Sequence, residues 1–143
     1  MMRVLKIIFA LTMAVFVAAC TGSGTSGRAT ILAEVEKAEP NSIYVYRDTG
    51  FAGSGALMEV LINNQKAGTI GIKESLKTTA SKGQNTLTVR YTGLASFNTP
   101  GTLTFESNGT TPNFFVVTQK QSLMGAKIQV AETTAGSFAN LLE

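Results

Sequence analysis

The sequence predicts a mainly β fold: a small antiparallel β-sandwich of about seven strands, with a short helix at each end and a cleaved signal peptide ahead of it. Three observations predict it. Charged residues are 15% of the 143, against about a quarter in typical soluble domains, while hydrophobic residues reach 44% and glycine contributes 14. Beyond residue 42, apolar and polar residues alternate with period two, as half-buried strands do. Turn-forming residues punctuate that alternation every ten residues or so. The length is that of one domain. With no His, no Trp and one Cys, the chain cannot by itself supply a His-based triad, a His-containing zinc site, an internal disulfide or an Fe–S cluster.

The first twenty residues read MMRVLKIIFALTMAVFVAAC. Arg3 and Lys6 give a positive start, and residues 7–19 form an apolar run shorter than the roughly 20 needed to span a bilayer. That is the pattern of a secretory signal, so residues 1–19 are set apart from the fold. Val17-Ala18-Ala19-Cys20 resembles the lipobox of bacterial lipoproteins. The resemblance implies acylation of the Cys20 sulfur, cleavage between Ala19 and Cys20, and acylation of the new amine. Thr21, where an Asp would favour the inner membrane, implies sorting to the outer membrane, facing the periplasm. In a Gram-positive cell the same anchor would sit on the outer face of the plasma membrane. Several acyl chains anchor firmly where one alone binds marginally. Loss of Arg3 and Lys6 with the leader brings Lys+Arg from 12 to 10 against 9 Asp+Glu. No basic patch remains for nucleic acid.

The elements follow in order. Residues 20–28, the lipidated Cys and a Gly/Ser/Thr-rich stretch, are expected to form a flexible tether, its seven residues from Thr21 to Gly27 spanning about 15 Å. Residues 29–143 are expected to form the sandwich domain. ATILAEVEKAE, residues 29–39, brings Ile31, Leu32 and Val35 together on a helix that Pro40 stops. Strands follow at 43–47, 57–62 and 67–72, with Asn63-Asn64-Gln65-Lys66 as a turn. Further strands are expected at 85–92, 102–107, 114–118 and 126–131. Leu87, Val89 and Tyr91 point inward in the first of these, and Ser107-Asn108-Gly109 carries a hairpin signal. Phe138, Leu141 and Leu142 stand at helical spacing in the tail, residues 137–143, expected to cover a sandwich edge.

Tyr44-Val45-Tyr46-Arg47 followed by Gly50-Phe51-Ala52-Gly53-Ser54 resembles the opening of the DUF2846 lipoproteins, a bacterial family without an assigned activity. The likeness extends over residues 43–131. It departs from the family at Asn63-Asn64, at Lys82-Gly83 and at Asn85, where Asp-Gly, Pro-Gly and His are common. It implies a small sandwich on a lipid anchor and no particular chemistry.

Candidate chemistry is sparse. The 50–55 loop is glycine-rich enough to cradle an anion, yet it is neither a G-x-G-x-x-G nor a P-loop, and a connection needing positive φ accounts for it. Phe51 there is a candidate contact residue or a plug for the end of the sandwich. Arg47 is a candidate anion or partner contact; the simpler expectation pairs it with an acid such as Glu59 across the sheet. Tyr44 and Tyr46 are candidate stacking residues for sugar rings, or they meet another layer such as the N-terminal helix. Asp48, Glu59, Glu74, Glu106 and Glu132 are scattered singly, so no catalytic pair is expected. No metal loop and no G-x-S-x-G elbow occurs, and no metal or cofactor is expected. Asn108-Gly109-Thr110 matches a glycosylation sequon that reads here as a turn. The expectation is a non-enzymatic lipoprotein: a binding or structural module, bound to the membrane through Cys20 and accessory to an envelope protein assembly. The alternative is a module for glycan or peptidoglycan fragments built on Tyr44, Tyr46 and the 50–55 loop.

Overall fold

The computed structural model of the chain describes residues 23–49 and 56–142. Cys20, Ala19, Phe51 and the 50–55 loop lie outside the described residues. The elements are β1 (Thr25–Ser26), α1 (Arg28–Glu36), β2 (Ser42–Arg47), β3 (Met58–Ile62), β4 (Gln65–Ile70), β5 (Glu74–Thr79), β6 (Gly83–Tyr91), a 3₁₀ turn (Gly93–Ala95), β7 (Gly101–Ser107), β8 (Asn113–Ser122), β9 (Gly125–Thr133) and α2 (Ala135–Leu141). Two sheets form a sandwich, one ordered β1-β5-β2-β8-β9 and the other β4-β3-β6-β7. Every strand and both apolar clusters described below lie within residues 23–142.

The inner core lies between the sheets. Ile43 and Val45 of β2, Phe115 and Val117 of β8, and Ile128 of β9 meet Met58 and Val60, Leu87 and Val89, and Phe105 from the other sheet. β2 is buried along its whole length. Its opposite face, Tyr44 and Tyr46, joins Phe114 under α1 and α2, where Ile31, Phe138 and Leu142 complete a second cluster. Phe138 sits edge-on to both tyrosines, at 6.3 and 5.9 Å between ring centres. A strand covered on both faces reads as a continuous apolar run, and Ile43-Tyr44-Val45-Tyr46 is one.

Ile31, Leu32 and Val35 face this outer cluster as their spacing predicts. α1 ends at Glu36, ahead of Pro40, because the residue before a proline resists the helical conformation. Thr134 caps α2, its Oγ1 accepting from Ser137 N at 3.2 Å. α2 therefore begins two residues earlier than the tail pattern suggests, and it lies on a sheet face rather than over an edge.

Four further expectations are corrected. β2 and β8 pair in parallel, so the sandwich is not wholly antiparallel. β5 is a strand that period-two reading passes over, since Leu76 is its one large apolar residue. Ser107-Asn108-Gly109 does not close a hairpin: β7 pairs with β6 and β8 with β2 and β9. Instead Asn108 Oδ1 accepts from Thr110 N and Thr111 N, an Asx turn that carries the chain from one sheet to the other. Finally, Ser23–Gly27 is part of the fold. Ser23 N donates to Thr69 Oγ1, Ser23 Oγ accepts from Thr69 N, and Thr25–Ser26 pairs with Glu74–Ser75. Residues 23–27, expected to lie in the tether, are thus held on the fold ahead of Ala29.

The turn between β3 and β4 is Asn63-Asn64 alone, with φ of 51° and 64°, the two positive values that a two-residue I′ hairpin requires.

Candidate functional site

Arg47 ends β2 fully buried. Its Nε donates to Thr49 Oγ1 at 2.7 Å, and its Nη1 donates to Ala56 O at 2.7 Å and Ile70 O at 3.4 Å. The guanidinium lies 5.5 Å from the centre of the Tyr91 ring. Burial pulls its pKa below the ordinary arginine value, with Tyr91 and Glu74 opposing. The side chain ties Thr49 and Ala56, which flank the 50–55 connection, to the end of β4.

Glu59, the partner expected for Arg47, binds elsewhere. It accepts from Arg90 Nε at 2.7 Å across β3–β6 and lies 3.4 Å from Lys66 Nζ across β3–β4. The Arg90 hydrogen bond, helped by Lys66, holds the Glu59 carboxyl below the ordinary carboxylate range. Asp48 pairs with Lys73, whose ammonium is raised above the usual lysine value chiefly by that bond. Glu74 accepts from Gly71 N at 2.8 Å. Each of these carboxylates holds strands or turns together. Among the described residues, no group of three or more His, Cys, Asp or Glu could hold a metal ion.

Tyr44 and Tyr46 are buried under the helices, so they form no sugar platform. Tyr44 stacks on Phe114 with ring centres 5.5 Å apart and donates from its hydroxyl to Glu34 O at 3.0 Å. Burial, with Glu34 adding to it, raises its phenol pKa; burial also raises that of Tyr46.

Two surface features remain. The first is a seam where β4, the edge of one sheet, faces β5, which β1 flanks in the other sheet at Glu74–Ser75 alone. Ser23–Gly24 crosses its upper part. A side chain at Gly68 would strike Ser23 Oγ at 2.6 Å, and one at Gly24 would meet Ser75 O at 3.0 Å, so both positions need glycine to let the strands and the crossing segment pack. Below Ser23 the seam opens into a hollow of about 580 Å³ lined by Asn63, Gln65, Lys66, Ala67, Thr78 and Thr79 among others. There, among the described residues, β4 pairs only with β3 and the lower half of β5 only with β2, leaving backbone groups of both strands without a described strand neighbour. On the other side the sandwich is shut: Thr99 N donates to Ala126 O and Ile128 N to Thr99 O, both at 3.0 Å.

The second feature is apolar. Among the described residues, the exposed large hydrophobic side chains are Leu94 (99%), Phe97 (74%), Leu123 (105%) and Met124 (93%). They occupy two adjoining loops at one end of the sandwich. Leu123 and Met124 form the turn of the β8–β9 hairpin, closed by Ser122 Oγ donating to Gly125 O at 2.9 Å. Leu94 and Phe97 lie in the β6–β7 connection, held to that hairpin by Asn98 Oδ1 accepting from Ala126 N at 2.7 Å. The four residues escaped the sequence reading. Their available signal was an apolar pair in the centre of a tight turn, where polar or glycine residues are usual.

No family model matches the chain, and no curated protein matches it. Among solved structures, the chain is similar to an NMR structure of a protein from Eubacterium rectale, with 17% identity and a TM-score of 0.43, over 66% of this chain and 89% of that one. No helix among the described residues is long and apolar enough to cross a membrane.

Proposed function

We propose that the chain is a lipid-anchored, non-enzymatic binding module of a bacterial envelope, resembling the DUF2846 lipoproteins. In this reading Cys20 is acylated after cleavage at Ala19, and the domain faces the periplasm from the outer membrane. It serves as an adaptor for an envelope protein assembly.

One observation carries the reading. The described residue nearest Cys20 in the chain, Ser23, packs directly beside the seam where, among the described residues, β4 and β5 offer unpartnered strand edges. Cys20 lies three residues before Ser23, so at most about 10 Å of chain separates anchor and fold. A partner's extended strand laid along Lys66–Ala67 or Thr78–Thr79 would gain main-chain hydrogen bonds. The anchor would raise its effective concentration there. The glycan alternative loses its two stacking residues, because Tyr44 and Tyr46 are buried.

The test is photo-crosslinking in cells from probes at Lys66 and Thr78, with palmitate labelling of the same cultures. The reading expects one envelope protein crosslinked at both positions, palmitate on the native chain, and loss of both in Cys20→Ser. Labelling without any crosslink would leave an anchor and remove the adaptor. Crosslinking unchanged in Cys20→Ser would remove the anchor.

A further inference from the structure

We infer that the apolar end of the sandwich is a second membrane contact: Leu94, Phe97, Leu123 and Met124 enter the interface of an anionic bilayer while Lys120 and Lys127 meet its phosphate groups. The inference rests on the membrane-attached reading for its access to lipid, but the contact it describes does not use Cys20.

Charge selects an anionic lipid surface. Leu94, Leu123 and Met124 are almost wholly in water and Phe97 is three-quarters exposed, beside a hollow of about 280 Å³ that Phe97, Gln121 and Gly125 help to line. Directly behind the tip, Lys120 and Lys127 are cross-strand partners of the β8–β9 hairpin, both exposed. Their neighbours Gln119 and Ile128 point the other way, Ile128 into the inner core, so the lysines share the outer face. Like charges placed opposite one another destabilise a hairpin. No carboxylate occurs in residues 91–99 or 118–129, and none of the ion pairs among the described residues involves either lysine. An apolar tip with a cationic collar is complementary to hydrocarbon beneath anionic headgroups, where long lysine side chains reach phosphate while their stems stay apolar.

The position of the anchor agrees. Thr25 is level with Ser75, Ser75 with Tyr46, and Tyr46 with Val116. Leu123 therefore stands about 23 Å further along the strands than β1, and about 14 Å across the sheet from it. Thr25 of β1 and the tip are thus roughly 27 Å apart, and one tilted membrane plane can meet both the tip and an anchor at Cys20, given the few residues between Cys20 and Thr25. Two contacts at that separation fix the orientation of the domain, where a single lipidated residue leaves it free to swing. The β3–β4 turn at the opposite end then points away from the membrane.

Flotation with vesicles of phosphatidylcholine and phosphatidylglycerol tests the tip without the anchor, using residues 21–143, which keep every strand and both cores. The expected result is co-flotation that falls about tenfold or more in Leu123→Ser/Met124→Ser. It should fall by a similar factor in Lys120→Gln/Lys127→Gln, or when phosphatidylglycerol is omitted, with unchanged circular dichroism throughout. The second measurement uses the full chain held on vesicles, carrying Cys20→Ser and one environment-sensitive fluorophore, at Met124→Cys or at Ser81→Cys in the β5–β6 turn. The proposal expects a blue shift and quenching by bilayer nitroxides at 124 and neither at 81. A probe at 124 that remains in water on vesicles that hold the chain overturns it, as does a photo-crosslink from 124 in cells to protein and not lipid. Insertion at 124, with no palmitate on the native chain in labelled cells, would uphold the tip while removing the anchor reading.

Discussion

Arg47 joins both ends of the 50–55 connection to the end of β4, and its chemistry makes it hard to replace. Its fork supplies donors to Thr49, Ala56 and Ile70 at once. Arg47→Met keeps the volume but leaves buried acceptors unpaired, at a cost of about 2 kcal/mol. Arg47→Lys keeps a buried charge and loses the planar fork, so it should cost more, about 3 kcal/mol. Urea denaturation of both variants checks this order; a lysine variant as stable as the native chain would show the fork to be dispensable. Nothing in the sequence distinguishes such an arginine from a surface one, because its acceptors are a threonine hydroxyl and two backbone carbonyls, one of them 23 residues away. Glu59 was equally opaque: the pairing with Arg90 follows from the β3–β6 register, not from proximity in the chain. Its pKa is depressed by folding, so the unfolded chain holds that proton more tightly. The stabilisation is complete above the unfolded value and is lost as pH falls below about 4. Glu59→Gln should thus cost about 0.5 kcal/mol at neutral pH, since Arg90 and Lys66 are half exposed. The difference between the two proteins should vanish near pH 3, which denaturation curves at both pH values would show.

At the scale of elements, the strands announced by the sequence are those with large apolar residues on alternate positions, such as Leu87, Val89 and Tyr91 in β6. β5 was silent because its burial comes from neighbours rather than from its own side chains. Ser75 is buried beneath the crossing segment, and Glu74 is turned inward to cap Gly71. The same crossing segment reads as a Gly/Ser tether, since Ser23 and Gly24 have no apolar content; hydrogen bonds to Thr69 and close packing against Gly68 hold it instead. That dependence is testable. Gly68→Ala places a methyl group 2.6 Å from Ser23 Oγ and 2.9 Å from Leu76 Cδ1, and the surface serine gives way more readily than the core leucine. Amide exchange at Thr25 and Ser26 should accelerate at least tenfold in this variant, with β6 and β8 protection retained. Equal loss of protection in all three strands would show that Gly68 supports the core rather than the segment.

For the molecule as a whole, the two apolar clusters are not independent layers. β2 and β8 contribute to both: Ile43, Val45, Phe115 and Val117 inward, Tyr44, Tyr46 and Phe114 outward. Loosening the outer layer must therefore loosen strands at the centre of the first sheet. The period-two pattern showed that both faces of β2 were apolar, yet what covers the outer face depends on where 28–36 and 135–141 fold back, which no local pattern states. Phe138 is the sensitive point, because it touches Tyr44, Tyr46 and Phe114 together. Phe138→Ala should cost about 3–4 kcal/mol and lower the melting temperature by roughly 10 °C for a domain of this size. Tyrosine fluorescence, free of tryptophan here and measured with Tyr91→Phe in both proteins to remove the inner-core tyrosine, reports the outer layer through Tyr44 and Tyr46, while far-ultraviolet circular dichroism reports both sheets. In a two-state domain the two signals must fall together in native and variant alike. If the tyrosine transition of Phe138→Ala came first, with the sheets intact, α2 would be a detachable cover. Because the strands beneath it are shared with the inner core, the coincident transition is the one expected.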